Sequence, residues 1–253
     1  MTSVVLCSAS GAPGVTTAAL ALAWVWPQVT AGRRVLLVDA DASGSGLLGG
    51  TLQARVPTDT GILALAADTR SPAVDDLLNH AIAIDGEHRR LVLPGISDPV
   101  QAGAFAPLWA TFADLAIDLH LEGIDLVIDA GRLGHREEPT GAINDADVLS
   151  VLQTPTIPAT VATAAAVRRL TAARAPRSAP VPVVVGQRRP YTAGEVERAL
   201  GVPVHTLAFD VRAAEALGSG DGVSGRLDRS VLLRSARSLA ESLLSELPAE
   251  VAS

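Results

Sequence analysis

The sequence predicts an α/β protein with three layers, in which a mainly parallel sheet of about seven or eight strands carries helices on both faces. Two observations favour this fold class. Short apolar runs alternate with segments of helical spacing throughout the 253 residues. Apolar residues make up 48% of the chain, which is enough for a core on each side of a sheet. No linker-like segment divides the sequence, so we expect a single domain over residues 1–253.

The individual elements follow from composition and spacing. Continuous runs rich in Val, Ile and Leu are typical of strands that are buried on both faces. The predicted strands are Val4–Cys7, Val35–Val38, Leu91–Leu93, Leu126–Ile128, Val148–Leu152, Val181–Val185 and Val204–Leu207. The predicted helices are Thr17–Trp26, Ile62–Ala67, Val74–Ile84, Leu108–Leu121, Pro158–Ala173, Ala193–Leu200 and Ser230–Leu247. The predicted loops are Ala42–Gly50, Gly95–Gly103, Gly131–Asn144, Ala175–Pro182 and Gly218–Gly225.

Composition excludes several classes of protein. No apolar stretch is long enough to span a bilayer, and the N-terminus lacks the basic region of a signal peptide, so we expect a cytoplasmic protein. The single cysteine, Cys7, excludes a disulfide or a cysteine-based zinc cluster within this chain. The net charge of -7 argues against a general affinity for nucleic acid.

The basic residues are unevenly distributed, and all of them are arginine because the chain contains no lysine. No acidic residue lies between Val148 and Gly194, whereas six arginines do. They are Arg168, Arg169, Arg174, Arg177, Arg188 and Arg189. Two interpretations stay open: a solvated helix end followed by a loop, or a contact surface for DNA, lipid headgroups or an acidic partner.

The segment 8–17 has the layout of a phosphate-binding loop. It reads Ser-Ala-Ser-Gly-Ala-Pro-Gly-Val-Thr-Thr and joins a predicted strand to a predicted helix. Asp39 and Asp41 follow the second strand, and Asp129 follows a later one. Because the carboxyl ends of parallel strands meet at one edge of a sheet, we expect these carboxylates to lie near the loop. Taken singly, each of them also fits a turn or a helix cap.

These residues resemble the ParA/MinD superfamily of P-loop ATPases, and within it the divergent CpaE/TadZ-like and actinobacterial MinD-like members. The family loop is Gly-Lys-Gly-Gly-x-Gly-Lys-Thr-Thr, and segment 9–17 matches it at Gly11, Gly14, Thr16 and Thr17. Asp39 and Asp41 match the Asp-x-Asp motif of the family, and Asp129 matches its Walker B aspartate. Further matches at Leu91–Gly95, Ala199–Val204 and Phe209–Asp210 extend the resemblance over nearly the whole chain.

The resemblance implies a nucleotide site and, because the family pairs face to face across nucleotide, a dimer. The positions implied to surround the phosphates are Gly11, Ala12, Pro13, Gly14, Val15, Thr16 and Thr17. Thr16, Asp41 and Asp129 are the implied ligands of Mg²⁺ when Mg-nucleotide binds. The chain departs from the family in the loop, where Ala9 and Ala12 replace two glycines and Ser10 and Val15 replace the two lysines. It also has Gly186-Gln187 in place of a base-contacting asparagine.

The missing lysines decide what chemistry to expect. Positive charge on the transferring phosphoryl group is the main catalytic contribution in this reaction, and a single cationic group supplies on the order of 10³-fold or more. We therefore expect no catalytic residue, with Asp39, Asp41 and Asp129 as vestiges. The expected cofactor is none, or weakly bound ATP or ADP with Mg²⁺. Arg132, three residues after Asp129, is the nearest replacement cation in the sequence.

Three functions compete on this evidence. The first is a catalytically silent ParA/MinD-like protein that acts as a positioning scaffold or regulator in cell division, chromosome partitioning, or polar pilus or secretion assembly. Its protein partners would be a second copy or an intact homologue. The second is an atypical ATPase that uses Arg132 or an arginine from another subunit. The third is a DNA-binding accessory protein that uses the arginines between Arg168 and Arg189.

Overall fold

One eight-stranded sheet forms the centre of the molecule. The computed structural model describes residues 3–11, 13–57, 60–68, 71–186, 190–220 and 227–247. The strands are β1 (Ser3–Ser8), β2 (Arg34–Asp39), β3 (Ile82–Ala83), β4 (Arg90–Leu93), β5 (Ile124–Arg132), β6 (Val148–Gln153), β7 (Val181–Val185) and β8 (His205–Leu207). Their order is β3-β4-β2-β5-β1-β6-β7-β8. All neighbouring strands are parallel except β3 and β4. The predicted fold class is confirmed.

Helices cover both faces of this sheet. They are α1 (Val15–Val29), α2 (Ile62–Asp68), α3 (Val74–Asn79), α4 (Ala102–Phe105), α5 (Phe112–Leu121), α6 (Thr140–Asp145), α7 (Ile157–Ala173), α8 (Ala193–Leu200), α9 (Val211–Gly218) and α10 (Val231–Ser245). Two short 3₁₀ helices, Pro99–Gln101 and Ala106–Ala110, lie between β4 and α5.

The sheet separates two hydrophobic cores because successive side chains of a strand point to opposite faces. In β1, Val4 and Leu6 belong to the core under α1, α9 and α10. Val5 and Cys7 belong to the core under α2, α5, α6 and α7. This double burial explains the continuous apolar runs in the sequence.

Strand register brings the predicted site together at one edge of the sheet. β1 lies between β5 and β6, so the loop that follows β1 emerges beside the end of β5. Asp129 is the register partner of Leu6 on one side and of Asp39 on the other. The two aspartates are therefore neighbours on adjacent strands, as their positions at strand ends predict.

The predicted helix Val74–Ile84 is wrong in its second half. α3 ends at Asn79, and the N–H of His80 donates to the Asp76 carbonyl. Ile82 and Ala83 then form β3, which pairs antiparallel with β4. The apolar residues of this segment satisfy both a helical spacing and a short strand, and pairing with a strand already in the sheet decides between them.

Other predicted segments contain more structure than expected. The loop Gly131–Asn144 holds the end of β5 and most of α6, and the predicted helix Leu108–Leu121 is divided into a 3₁₀ turn and α5. The helix α9 was not predicted. The loop Gly218–Gly225 lies largely outside the described residues.

Within the described parts of the chain, no single helix combines the length and the hydropathy that crossing a membrane requires. One helix pair, Pro99–Ala110 with Phe112–Leu121, meets those criteria jointly but is bent by 63°.

Candidate functional site

The phosphate loop leads from the end of β1 into the start of α1. Gly14 is the N-cap of α1 with φ 89°, a left-handed conformation that favours glycine, and Gly11 has φ 65°. No side chain caps the helix, and its first turn has no acidic residue. The N–H groups of the first turn are thus left for another acceptor. Pro13 is buried, whereas the predicted site residue Ala12 lies outside the described residues.

Val15 occupies the position of the phosphate-binding lysine, and its side chain is buried. Only 7% of the residue is exposed, and it belongs to the core that contains Leu6, Ala18 and Ala19. An aliphatic side chain held in this core provides neither charge nor a hydrogen-bond donor to an anion. Ser10, which replaces the other family lysine, is half-buried in the loop.

Asp129 lies at the end of β5 and is fully buried. Its Oδ1 accepts a hydrogen bond from the Gly131 N–H at 3.0 Å, while its buried Oδ2 has no hydrogen-bond partner among the described residues. Burial raises the pKa of Asp129, the nearby Thr16 hydroxyl and the Gly131 N–H lower it, and Asp41 raises it further. Thr16 and Asp129 therefore come together as predicted, and one carboxylate oxygen is available to a cation.

Asp39 is also buried, at the end of the neighbouring strand β2. Its Oδ2 accepts hydrogen bonds from the Ser45 hydroxyl at 2.5 Å and from the Gly95 N–H at 3.2 Å. Burial raises the pKa of Asp39, and the negative charge of Asp129 adds to that effect. Two neighbouring carboxyl groups without a cation disfavour full ionisation of both.

Asp41 completes the acidic cluster. Its Oδ1 accepts a hydrogen bond from the Ser43 N–H at 2.8 Å. A Cβ atom placed on Gly131 would lie 2.2 Å from Cγ of Asp41, so the carboxylate rests directly against the Gly131 backbone. Gly131 has φ 59° and is required there both for its conformation and for this close approach. The negative charge of Asp41 consequently lies close to Asp129.

No described cationic group influences the pKa of Asp129. Arg132 is exposed and pairs in register with Ser8, at the start of the phosphate loop. It forms neither an ion pair nor a side-chain hydrogen bond with a described residue. Arg132 therefore lies beside the start of the loop, but its guanidinium forms no ion pair with Asp39, Asp41 or Asp129.

Three groups that hold this site were not predicted to do so. The Ser45 hydroxyl and the Gly95 N–H both bind Asp39, and Gly131 provides the space for Asp41. Ser45 lies between two glycines in the predicted loop Ala42–Gly50, and this pattern does not indicate a hydrogen bond to Asp39. The available signal is the position of Gly95, two residues after β4, because the end of β4 lies beside the end of β2.

The predicted arginine surface is wrong at Arg174, which is buried with 2% of its surface exposed. Its guanidinium donates hydrogen bonds to the carbonyl oxygens of Ile143, Asn144 (3.1 Å) and Ala146 (2.9 Å). Burial lowers the pKa of Arg174. These bonds satisfy carbonyls at the end of α6, so Arg174 is a structural residue rather than part of a contact surface.

The remaining arginines give a smaller basic surface than the sequence suggests. Arg168 and Arg169 are exposed on α7, whereas Arg177 is paired with Asp145 at 4.0 Å and with Asp147 at 3.7 Å. Arg188 and Arg189 lie outside the described residues. Asp145 and Asp147 lie before the segment that lacks acidic residues, and they neutralise Arg177 within it.

The site offers oxygen ligands for Mg²⁺ but little for a triphosphate. Thr16 and the free Oδ2 of Asp129 are hard oxygen donors of the kind that Mg²⁺ prefers. Across the described ranges, no group of three or more His, Cys, Asp or Glu residues is placed to hold a metal by itself. The counter-charge that phosphate oxygens require is missing at Val15, so the residues present fit the metal better than the nucleotide.

Comparison with solved structures identifies the fold. The chain is similar to the cell division ATPase MinD from Pyrococcus furiosus, with a TM-score of 0.73, 19% identity and coverage of 97% of this chain and 99% of that chain. The chain has the ParA/MinD fold. It also resembles a ParA family ATPase from Chlorobium tepidum TLS, with a TM-score of 0.72, 14% identity and coverage of 95% and 99% of the two chains.

A third similar structure is the MinC:MinD cell division protein complex from Aquifex aeolicus, with a TM-score of 0.69, 14% identity and coverage of 97% of this chain and 96% of that chain. No protein-family model and no curated protein matches the sequence. The ParA/MinD fold thus extends over almost the whole chain, although only a small share of residues is identical.

Proposed function

We propose that this chain is a catalytically silent ParA/MinD-like protein that acts through protein partners. It would serve as a positioning scaffold or regulator in cell division, chromosome partitioning, or polar pilus or secretion assembly. One observation carries the proposal: Val15 is buried in the core at the position where the ParA/MinD loop has its phosphate-binding lysine. The fold is kept while the charge that phosphate chemistry needs is absent.

The electrostatics of the cluster support the absence of hydrolysis. Phosphoryl transfer depends on positioned positive charge, and removal of one such group costs on the order of 10³-fold or more in rate. Here Asp129 lies beside Thr16 of the loop, Asp39 and Asp41 lie near Asp129, and both lysine positions hold uncharged residues. A triphosphate would add negative charge to a cluster whose carboxyl groups already raise the pKa values of one another.

Mg²⁺ would ease this repulsion only in part. Thr16, Asp41 and Asp129 would hold the ion, which would neutralise phosphate oxygens when bound. The Gly14-capped start of α1 would add N–H donors. We therefore propose that the cofactor is none, or ATP or ADP that binds weakly with Mg²⁺.

One of the similar structures supports a role in partner binding. The Aquifex aeolicus structure is a complex of MinD with MinC, so one protein of this fold assembles with a different chain. The Pyrococcus furiosus and Chlorobium tepidum structures are described as ATPases. A chain that keeps this fold without the lysines retains surfaces for assembly, and loses the charge used in turnover.

A nucleotide titration tests the proposal. Mg-ATP would be titrated by calorimetry into the wild type, Val15→Lys and the control Val100→Lys, which adds the same charge at a residue that is 88% exposed. We expect Val15→Lys alone to gain affinity, by roughly tenfold or more, because a charge-assisted contact to phosphate is restored. Wild-type ATP turnover that is abolished by Asp129→Ala would contradict catalytic silence.

Two other functions have narrower support. An atypical ATPase would use Arg132, whose register next to Ser8 places it at the loop, or an arginine from another subunit. If Arg132 is the cation, Arg132→Ala should abolish nucleotide binding. A DNA-binding accessory would need Arg168 and Arg169, the exposed arginines of α7. Their joint replacement by alanine should then weaken DNA retention and reduce its dependence on salt.

A further inference from the structure

A cavity of about 450 Å³ lies between α1, the segment after β2, the β3–β4 turn and the end of α9. This volume falls in the range of pockets that bind small molecules. Its described lining includes Leu20, Trp24, Leu52, Arg55, Asp85 and Ala216.

The apolar part of the lining includes Trp24, whose side chain is held by two contacts. Its Nε1 donates a hydrogen bond to Oδ1 of Asp228 at 3.1 Å. The guanidinium of Arg90 lies 4.7 Å from the ring centroid, and Arg90 Nε also donates to the Trp24 carbonyl at 2.7 Å. The ring is thus fixed before any ligand arrives, which lowers the entropy cost of binding.

The segment that carries Arg55 is fixed against the end of α9. Thr51 Oγ1 donates to the Leu217 carbonyl at 3.1 Å, and Gln53 Nε2 donates to the Ser219 carbonyl at 3.0 Å. A Cβ atom on Gly220 would lie only 2.2 Å from the Thr51 carbonyl oxygen, so the two backbones touch. This wall is therefore closely packed.

The charges of the lining do not balance. Asp85 is neutralised by Arg90 at 2.7 Å, and the same carboxylate accepts backbone hydrogen bonds from Arg89 and Arg90. Arg55 is exposed and has no ion pair among the described residues. Among the described residues of the lining, Arg55 and Asp85 are the charged ones, and Arg55 is the one of the two without an ion pair.

We propose that this cavity binds a small amphiphile that has an apolar chain and one anionic group. The apolar chain would lie against Trp24, Leu20 and Leu52, and the anion would be bound by Arg55. A medium-chain carboxylate has this chemistry. The site uses neither the phosphate loop nor its aspartates, so it does not depend on the function proposed above.

Trp24 provides the assay. Decanoate and its neutral analogue decanol would be titrated below their aggregation limits while tryptophan emission is recorded. Trp26 and Trp109 are buried in the cores, and Trp24→Phe identifies the signal that belongs to the cavity. We expect a saturable change with decanoate and a roughly three- to tenfold weaker affinity for decanol, because a charge-assisted contact is missing.

Matched variants locate the two halves of the ligand. Arg55→Gln should remove the preference for decanoate over decanol, whereas Arg198→Gln, a change at an exposed arginine of α8, should keep it. Ala216→Leu should weaken both ligands because it fills the cavity. Circular dichroism would verify that each variant is folded. Equal affinity for the two ligands, an unchanged preference in Arg55→Gln, or the absence of a saturable Trp24 signal would overturn the proposal.

Discussion

Replacement of Asp39 by Asn should flatten the dependence of stability on pH. Burial and the charge of Asp129 raise the pKa of Asp39 to about 8, while the same carboxyl group in an unfolded chain has a value of about 4. Between these values the folded protein holds a proton that the unfolded chain has released. The free energy of unfolding of the wild type must therefore fall as pH rises through this window.

The magnitude follows from the number of protons involved. One proton held only by the folded state changes the free energy of unfolding by about 1.4 kcal/mol per pH unit. Two pH units inside the window correspond to about 3 kcal/mol. Asn resembles the protonated carboxyl group in shape, and its amide oxygen still accepts from the Ser45 hydroxyl and the Gly95 N–H. Asp39→Asn should consequently fold and lose this contribution.

Urea unfolding between about pH 5 and about pH 7, followed by circular dichroism, measures the effect. The wild type should lose up to about 3 kcal/mol more than Asp39→Asn over this interval. Asp118→Asn, a change at an exposed carboxylate of α5, should leave the wild-type slope intact. If the free energy of unfolding changes equally with pH in the wild type and in Asp39→Asn, Asp39 is ionised in the folded state and the reasoning is refuted.

Two further changes test buried charges on the side of the sheet away from the phosphate loop. Asp125→Ala should destabilise the fold by about 3–5 kcal/mol in urea unfolding. The half-buried Arg33 guanidinium, which lies 2.9 Å from Asp125 in the wild type, would lose its ion pair. An equal loss in Asp118→Ala would contradict this cause. Arg174→Met should lower the free energy of unfolding by about 2–4 kcal/mol, measured by thermal unfolding, because buried carbonyls lose their hydrogen bonds. Arg168→Met, at an exposed position of α7, should lower it far less.

The strands were predictable where burial imposes a local pattern. β1, β2, β6 and β7 are apolar at most positions because both of their faces are covered, and this leaves a run of apolar residues in the sequence. β3 has only two residues, and its existence depends on pairing with β4. No local property of Ile82 and Ala83 distinguishes that strand from the end of a helix.

Short helices depend on capping contacts at their ends, and the sequence indicates only some of these contacts. α9 begins after Asp210, whose carboxylate accepts a hydrogen bond from the Ala213 N–H at 3.1 Å. An aspartate that precedes an alanine-rich segment is a recognisable N-cap, so this helix could have been predicted. α6 begins after Pro139 without a side-chain cap, and its end is held by the distant Arg174. Only tertiary structure supplies that information.

The site was predictable to the extent that topology fixes it. Asp39 and Asp129 end parallel strands, and the sheet brings such ends together. The charge balance around them was not predictable. Arg132 is close in sequence but does not counter the carboxylates, and Arg174 looks like a surface residue although it is buried. Sequence distance shows neither the direction of a side chain nor its degree of burial.

The retained aspartates are weak evidence for retained hydrolysis because each has a structural role. Asp39 ties the segment after β2 to the end of β4 through Ser45 and Gly95. Asp129 accepts from the Gly131 N–H, so replacement of either residue would disturb the fold whether or not nucleotide binds. A lysine at the position of Val15 would have no comparable structural role, since its charge serves only an anion. The carboxylates at these strand ends together with an uncharged residue at position 15 therefore support the proposal of a chain that keeps the architecture without hydrolysis.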